Sequence, residues 1–173
     1  MSIRVAMLED ALLVAELAIQ MWKLHTIEEL TQEFYEYISK ENGTIFLAMI
    51  DGCAVGFAQC GLRRDYVEGT DSSPVGYLEG IFVKEEYRKR GVARDMLEAC
   101  QKWAKEQGCA EFASDCELDN EDSLKFHIKM GFVEANRIIC FTKKLKDSVI
   151  GRQVTVTVDR PLGSYNLNYK DMD

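Results

Sequence analysis

Gly80-Ile81-Phe82-Val83, followed after a short spacer by Tyr87-Arg88-Lys89-Arg90-Gly91-Val92-Ala93, is the stretch whose reading decides the fold. The first four residues end a β-prone run that begins at Gly76. From Ala93 onward, Met96, Leu97, Cys100 and Ala104 recur at helical spacing, which predicts a long amphipathic helix ending near Gly108. Strand, loop and helix in that order put the basic loop at a helix N-terminus. There the first N–H groups lack intrahelical partners and the helix dipole is positive. Gly91 lets an anion approach the backbone closely. Arg88, Lys89 and Arg90 add positive charge, so the loop suits a diphosphate. It matches neither the P-loop nor the GxGxxG dinucleotide pattern. Taken alone, it reads equally well as a solvated basic turn that caps a helix.

Outward from this stretch, the chain alternates strands and helices. Residues 3–7 read as a first strand, and Leu13, Val14, Leu17, Ala18 and Met21 as the apolar face of a helix. Thr26-Ile27-Glu28-Glu29 fits a capping box, opening a second helix that should stop at Asn42-Gly43. Residues 44–50 and 54–62 read as strands joined by the hairpin signal Asp51-Gly52. A polar loop covers 65–75, and the central strand follows it. Beyond the long helix, 110–114 reads as a strand, 120–130 as a helix closed by Gly131, and 132–145 as a final core strand or strand pair. Hairpins first and βα units later predict an α/β protein. Its sheet should be mixed and mostly antiparallel, with helices on both faces.

Composition narrows the function classes. Apolar residues make up 47% of 173, enough for one ordinary core. No apolar run approaches the roughly 18 residues that span a bilayer. The opening Met1-Ser2-Ile3-Arg4-Val5 lacks the layout of a signal peptide, so a cytoplasmic protein with no membrane role is expected. The six cysteines form no CxxC pair and only two histidines are present, so no metal site is expected. A net charge of −8 argues against nucleic acid and would attract a cationic small molecule. Acidity for solubility explains the same charge.

The loop gains meaning from its company. Arg88-x-x-Gly91-x-Ala93 resembles the coenzyme A loop of the GNAT superfamily of N-acetyltransferases, written Gln/Arg-x-x-Gly-x-Gly/Ala. Asn120-x-x-Ser123-x-x-Phe126-His127-x-x-x-Gly131-Phe132 resembles that superfamily's second signature. The resemblance covers residues 1–145 and implies the GNAT fold for that domain. It implies that acetyl-coenzyme A lies against the backbone of Ile81, Phe82 and Val83 as an added strand. It further implies that Arg88, Lys89, Arg90, Gly91, Val92 and Ala93 hold the diphosphate and that Asn120, Ser123 and His127 touch the cofactor. A main-chain N–H at or near Phe82 would polarise the thioester carbonyl, an oxyanion-hole role. Attack by the substrate amine would be direct, so the cysteines need no catalytic part. Many relatives carry tyrosine where this chain has His127. Histidine can also protonate a leaving thiolate. A residue that contacts the cofactor without moving a proton is the other reading.

Longer strings speak to the substrate. Leu62-Arg63-Arg64-Asp65-Tyr66-Val67-Glu68-Gly69, Ser73-Pro74-Val75-Gly76-Tyr77-Leu78-Glu79-Gly80-Ile81 and Ala113-Ser114-Asp115-Cys116-Glu117-Leu118-Asp119-Asn120 resemble the aminoglycoside 6′-N-acetyltransferase branch. By that resemblance Trp22, Tyr66, Glu79, Asp115 and Glu117 are expected against the substrate. Asp115 is the first choice for general base and Glu79 the second. Carboxylates suit a polycationic antibiotic, and a base must free the amine, because an ammonium is no nucleophile. Plainer readings exist. Asp115 and Asp119 could cap the next helix, Glu117 could be a solvated loop charge, and Trp22 and Tyr66 could be packing residues. An idle Glu79 within a core strand would be costly.

Two other functions fit the same residues. One is acetylation of a different small amine, and the other is a non-catalytic binding module that keeps the cofactor loop. Residues 146–173 form a β-prone extension whose run Gln153-Val154-Thr155-Val156-Thr157-Val158 could pair with a second subunit, giving a homodimer.

Overall fold

The computed structural model describes residues 1–144. The chain divides after Ile138. In the first unit, β1 (Ser2–Val5) leads through a short 3-10 turn (Leu8–Asp10) into α1 (Ala11–Ala18) and α2 (Ile27–Ile38). Then come β2 (Gly43–Ile50), β3 (Cys53–Arg63), β4 (Val75–Val83), a 3-10 turn (Glu85–Tyr87), α3 (Val92–Glu106), β5 (Phe112–Ser114) and α4 (Glu121–Lys129). The described part of the second unit, residues 139–144, is irregular. The extension expected at 146–173 lies outside the described residues.

Strand order is β1-β2-β3-β4-β5. The first three pairings are antiparallel and β4–β5 is parallel. The parallel pair needs a crossover, and α3 supplies it. Alternation along β2 explains the two faces. Ile45 and Leu47 pack with Leu17, Leu30, Phe34 and Phe57 beneath α1 and α2, while Phe46 and Ala48 pack with Met96, Leu97 and Cys100 beneath α3. This is the expected α/β layering, with helices on both faces of a mixed sheet.

Local signals account for most boundaries. Glu29 N donates to Thr26 Oγ1 at 3.2 Å and Thr26 N to Glu29 Oε2 at 2.9 Å, closing the expected capping box. Asp51 and Gly52 have φ of 49° and 78°, both positive as a type I′ hairpin turn requires. α2 ends at Ile38, short of the expected Asn42-Gly43. The Ser39 hydroxyl closes its last turn on Glu36 O at 2.7 Å, and the Asn42 carbonyl already accepts from Leu62 N at 2.8 Å in the sheet.

The expected strand at 132–145 is corrected: residues 132–144 are irregular. Phe132 does pack, with ring centroids 6.3 Å from Phe112 and 5.1 Å from His127. The next residues make short-range bonds instead of a ladder. Arg137 Nε reaches Glu134 at 2.6 Å, and Arg137 N donates to the Asn136 side chain at 2.7 Å. Ala135 lies on the 65–75 loop, so close that a Cβ on Gly69 would meet it.

Candidate active site

The site starts from an irregularity in β4. Gln59 pairs with Gly80 and Cys60 with Leu78, so Glu79 is an extra residue bulged from the β3–β4 ladder. A bulge re-aims its side chain and bends the strand. β5 pairs only with Gly76, Tyr77 and Leu78. Beyond Leu78, β4 runs on through Ile81, Phe82 and Val83 with no strand on that side among the described residues. Such an unpaired backbone edge is a template for an extended ligand.

The two strands part at a small polar chain. His127 Nε2 lies 3.0 Å from Ser114 Oγ, which donates to Leu78 O at 3.1 Å. His127 Nδ1 lies 2.7 Å from Ser123 O. Asn120 caps α4 by accepting from Ser123 N at 3.0 Å, so the cap is Asn120 and not Asp115 or Asp119. The signature residues Asn120, Ser123 and His127 thus have structural partners, and both ring nitrogens of His127 face protein oxygens.

At the far end of β4, Arg88 turns back and its Nε donates to Val83 O at 2.9 Å. Lys89 and Gly91 take positive φ of 59° and 88°. Gly91 is the N-cap of α3 and no side chain caps that helix, so its first N–H groups face outward beside the basic loop. Nothing lies within 4 Å of where a Gly91 Cβ would stand. The free β4 edge and this uncapped helix end fit an extended, diphosphate-bearing thioester such as acetyl-coenzyme A.

On the α1–α2 side a cavity of about 340 Å³ is lined by Trp22, His25, Leu30, Glu33, Phe34, Tyr37, Gln59 and Glu79. The Trp22 ring lies over Gly80, where a Cβ would stand 3.2 Å from it. Trp22 and Glu79 are therefore brought together at one cavity. Tyr66 is not among the lining residues: it is 82% exposed and donates to Glu68 at 2.9 Å. Glu117 is exposed in the loop after β5 and does not line the cavity either.

Asp115 belongs to a cluster that sequence reasoning missed, organised by Arg63 and Tyr77. Arg63 Nη2 reaches Glu79 Oε2 at 2.7 Å and Nε reaches Oε1 at 3.3 Å. The guanidinium carbon stands 3.3 Å from the Tyr77 ring centroid. Burial, and then the charge of Asp115, push the Tyr77 phenol up to about 12, while Arg63 opposes this. The bulge leaves the Glu79 side chain 28% exposed and paired, so the burial cost expected of an acid in a core strand does not arise. Arg63 and Tyr77 stood within the substrate-like strings, but their meeting needs the β3–β4 register. Tyr37 carried a usable signal, since Leu30, Phe34 and Tyr37 recur at helical spacing. Among the described residues no cluster of three or more His, Cys, Asp or Glu could hold a metal.

Comparison with known proteins decides the family. The acetyltransferase (GNAT) family model matches residues 12–132. The chain belongs to the GNAT acetyltransferase family. Among GNAT relatives, aminoglycoside N(6′)-acetyltransferase type 1 of Salmonella typhimurium is 42% identical over 125 residues, spanning 72% of this chain and 86% of that protein. The aminoglycoside N-acetyltransferase AAC(6′)-Iy in complex with CoA superposes with a TM-score of 0.80 at 39% identity, covering 83% of this chain and 95% of that one. The same enzyme with the bisubstrate analogue CoA-S-monomethyl-acetylneamine gives 0.79 at 39% identity, covering 83% and 98%. The five-stranded sheet and its helical layers are thus the GNAT fold.

Proposed function

We propose that this chain transfers the acetyl group of acetyl-CoA to the 6′-amine of aminoglycosides, conferring resistance to them in the cytoplasm. One observation carries the reading: β4 has one edge free beyond Leu78, with the uncapped α3 N-terminus after it and an acid-lined cavity at its Glu79 bulge. The names of the relatives support the same substrate class.

When bound, acetyl-CoA supplies the acyl carbon, and its sulfur takes the electron pair of the breaking C–S bond. The chain's residues do the rest. Ile81, Phe82 and Val83 bind the extended arm through main-chain groups, and an N–H at or near Phe82 stabilises the developing oxyanion. Arg88, Lys89, Arg90, Gly91, Val92 and Ala93 hold the diphosphate. Trp22, Tyr66, Glu79 and Glu117 contact the polycation. Both Glu79 oxygens are engaged by Arg63, so Asp115 is assigned the amine proton and Glu79 the task of holding a substrate ammonium. His127 supplies a proton to the departing sulfur by way of Ser114 Oγ. Asn120 and Ser123 keep α4 and the His127 ring in place.

A homodimer is proposed as the working form, resting on residues 146–173. Free-thiol release from acetyl-CoA, with and without kanamycin or tobramycin, tests the reaction, and mass spectrometry locates the acetyl group. Rapid turnover with acetyl on the 6′-nitrogen is expected. Binding of CoA without turnover on any aminoglycoside would overturn the substrate assignment and leave the fold intact.

A further inference from the structure

The cavity beside Glu79 is lined by a tyrosine with a buried hydroxyl. Tyr37 Oη is fully buried and has no hydrogen-bond partner among the described residues. The Gln59 side chain is its polar neighbour in the cavity lining and opposes the effect of burial on the phenol. Burial, and then the charge of Glu79, push the Tyr37 phenol above its ordinary value, which keeps it a neutral O–H donor.

The fold makes room for this hydroxyl. Gly43 of β2 and Gly61 of β3 are register partners. A Cβ on Gly43 would stand 2.5 Å from the Tyr37 ring, and one on Gly61 2.7 Å from its hydroxyl oxygen. Two facing glycines thus form a slot that seats the ring and its hydroxyl against the sheet, and Tyr37 is one of the residues that line the cavity. Glycine within paired strands is unfavourable, and an unmet buried hydroxyl is a further penalty. The free protein carries both.

We infer that the Tyr37 hydroxyl is a specificity-determining group, donating to a hydroxyl or ring oxygen of the amino sugar while Glu33 and Glu79 accept from its ammonium groups. The inference rests on the proposed function and deepens it. An amino sugar presents oxygens and ammonium groups around one small ring. The cavity lining offers the complementary set: the Tyr37 O–H donor, the carboxylates of Glu33 and Glu79, and the Gln59 amide. The substrate supplies the acceptor that the free protein lacks.

The test is Tyr37→Phe, which keeps the ring in its slot and removes one oxygen. The expected result is opposite movement of binding and stability. KM and the calorimetric Kd for the aminoglycoside rise about fivefold to tenfold, with KM for acetyl-CoA unchanged, as for one lost hydrogen bond. Tm stays level or rises by about 2–4 °C, because an unmet polar group is gone. An unchanged aminoglycoside KM overturns the inference. So does a raised KM with a lowered Tm, which would make the hydroxyl a structural tie. Wild-type protein measured alongside keeps the two proposals apart. No wild-type turnover or binding of any aminoglycoside would refute the proposed function itself.

Discussion

Replacing Arg63 with glutamine removes the cation between Glu79 and Asp115 while keeping most of the side chain's length. Arg63 makes one short and one long contact to Glu79, 2.7 and 3.3 Å, and stacks 3.3 Å from the Tyr77 centroid. A sheltered charge-assisted hydrogen bond contributes about 1.5–3 kcal/mol. Here the two side chains are 42% and 28% exposed, so solvent screening brings the pair to about 1 kcal/mol. Stacking of the guanidinium on the ring adds about 0.5–1 kcal/mol. Arg63→Gln should therefore cost about 1.5–2 kcal/mol, lowering Tm by about 3–8 °C for a chain of this size. A double-mutant cycle with Glu79→Gln isolates the ion pair, with an expected coupling of about 1 kcal/mol. Arg63→Lys keeps the charge but loses the fork and the stack, so it should recover only part of the loss. Calorimetric melting of the four cycle proteins is the assay. A Tm for Arg63→Gln within 1 °C of wild type, or a coupling near zero, would refute the claim that Arg63 organises these carboxylates.

Three more outcomes follow from the same geometry. Asp115→Asn should lower kcat for the aminoglycoside at least a hundredfold with little change in its KM, whereas Glu79→Gln should act mainly on KM, and steady-state kinetics of both variants would expose a reversed assignment. Gly91→Ala forces a methyl-bearing residue to a φ of 88°, so it should destabilise by about 1–2 kcal/mol and raise KM for acetyl-CoA, which melting and acetyl-CoA titration would measure. Asp10 is 8% exposed, and its carboxyl is held below its ordinary value by the hydrogen bonds from Arg4 at 2.6 and 2.7 Å, opposed by burial and aided by Met7 N. Its stabilising contribution is present above the unfolded value of about 3.9 and is lost as pH falls through the lower folded value. Denaturation below pH ~4 should show that loss in wild type and a flatter profile in Asp10→Asn.

The periodic and capped elements were legible in residue order because their causes are local. Thr26 and Glu29 are three residues apart and bond each other directly. Asp51-Gly52 can adopt its turn regardless of what surrounds it. The α3 face Met96, Leu97, Cys100 and Ala104 declares itself by spacing, as does the glycine at its start. The strand expected at 132–145 failed for the converse reason. Strand propensity takes effect only when a partner strand is in register, whereas Glu134, Asn136 and Arg137 meet one another within a few residues.

The sequence alone determined the layered α/β order, the helix-capping loop, and the family resemblance that named Trp22, Glu79, Asp115 and His127. All of these live in short windows of the chain. What tertiary structure decided is which of these groups meet. The one-residue slip between Gln59–Gly80 and Cys60–Leu78 puts Glu79 on a bulge, where Arg63 can reach it from the neighbouring strand. The end of β5 at Ser114 leaves one edge of β4 free and draws His127 against the point of divergence. The pairing of Gly43 with Gly61 opens the slot that Tyr37 fills. Each of these rests on register between strands far apart in the chain, and register follows from the packing of whole sheet faces rather than from any local preference.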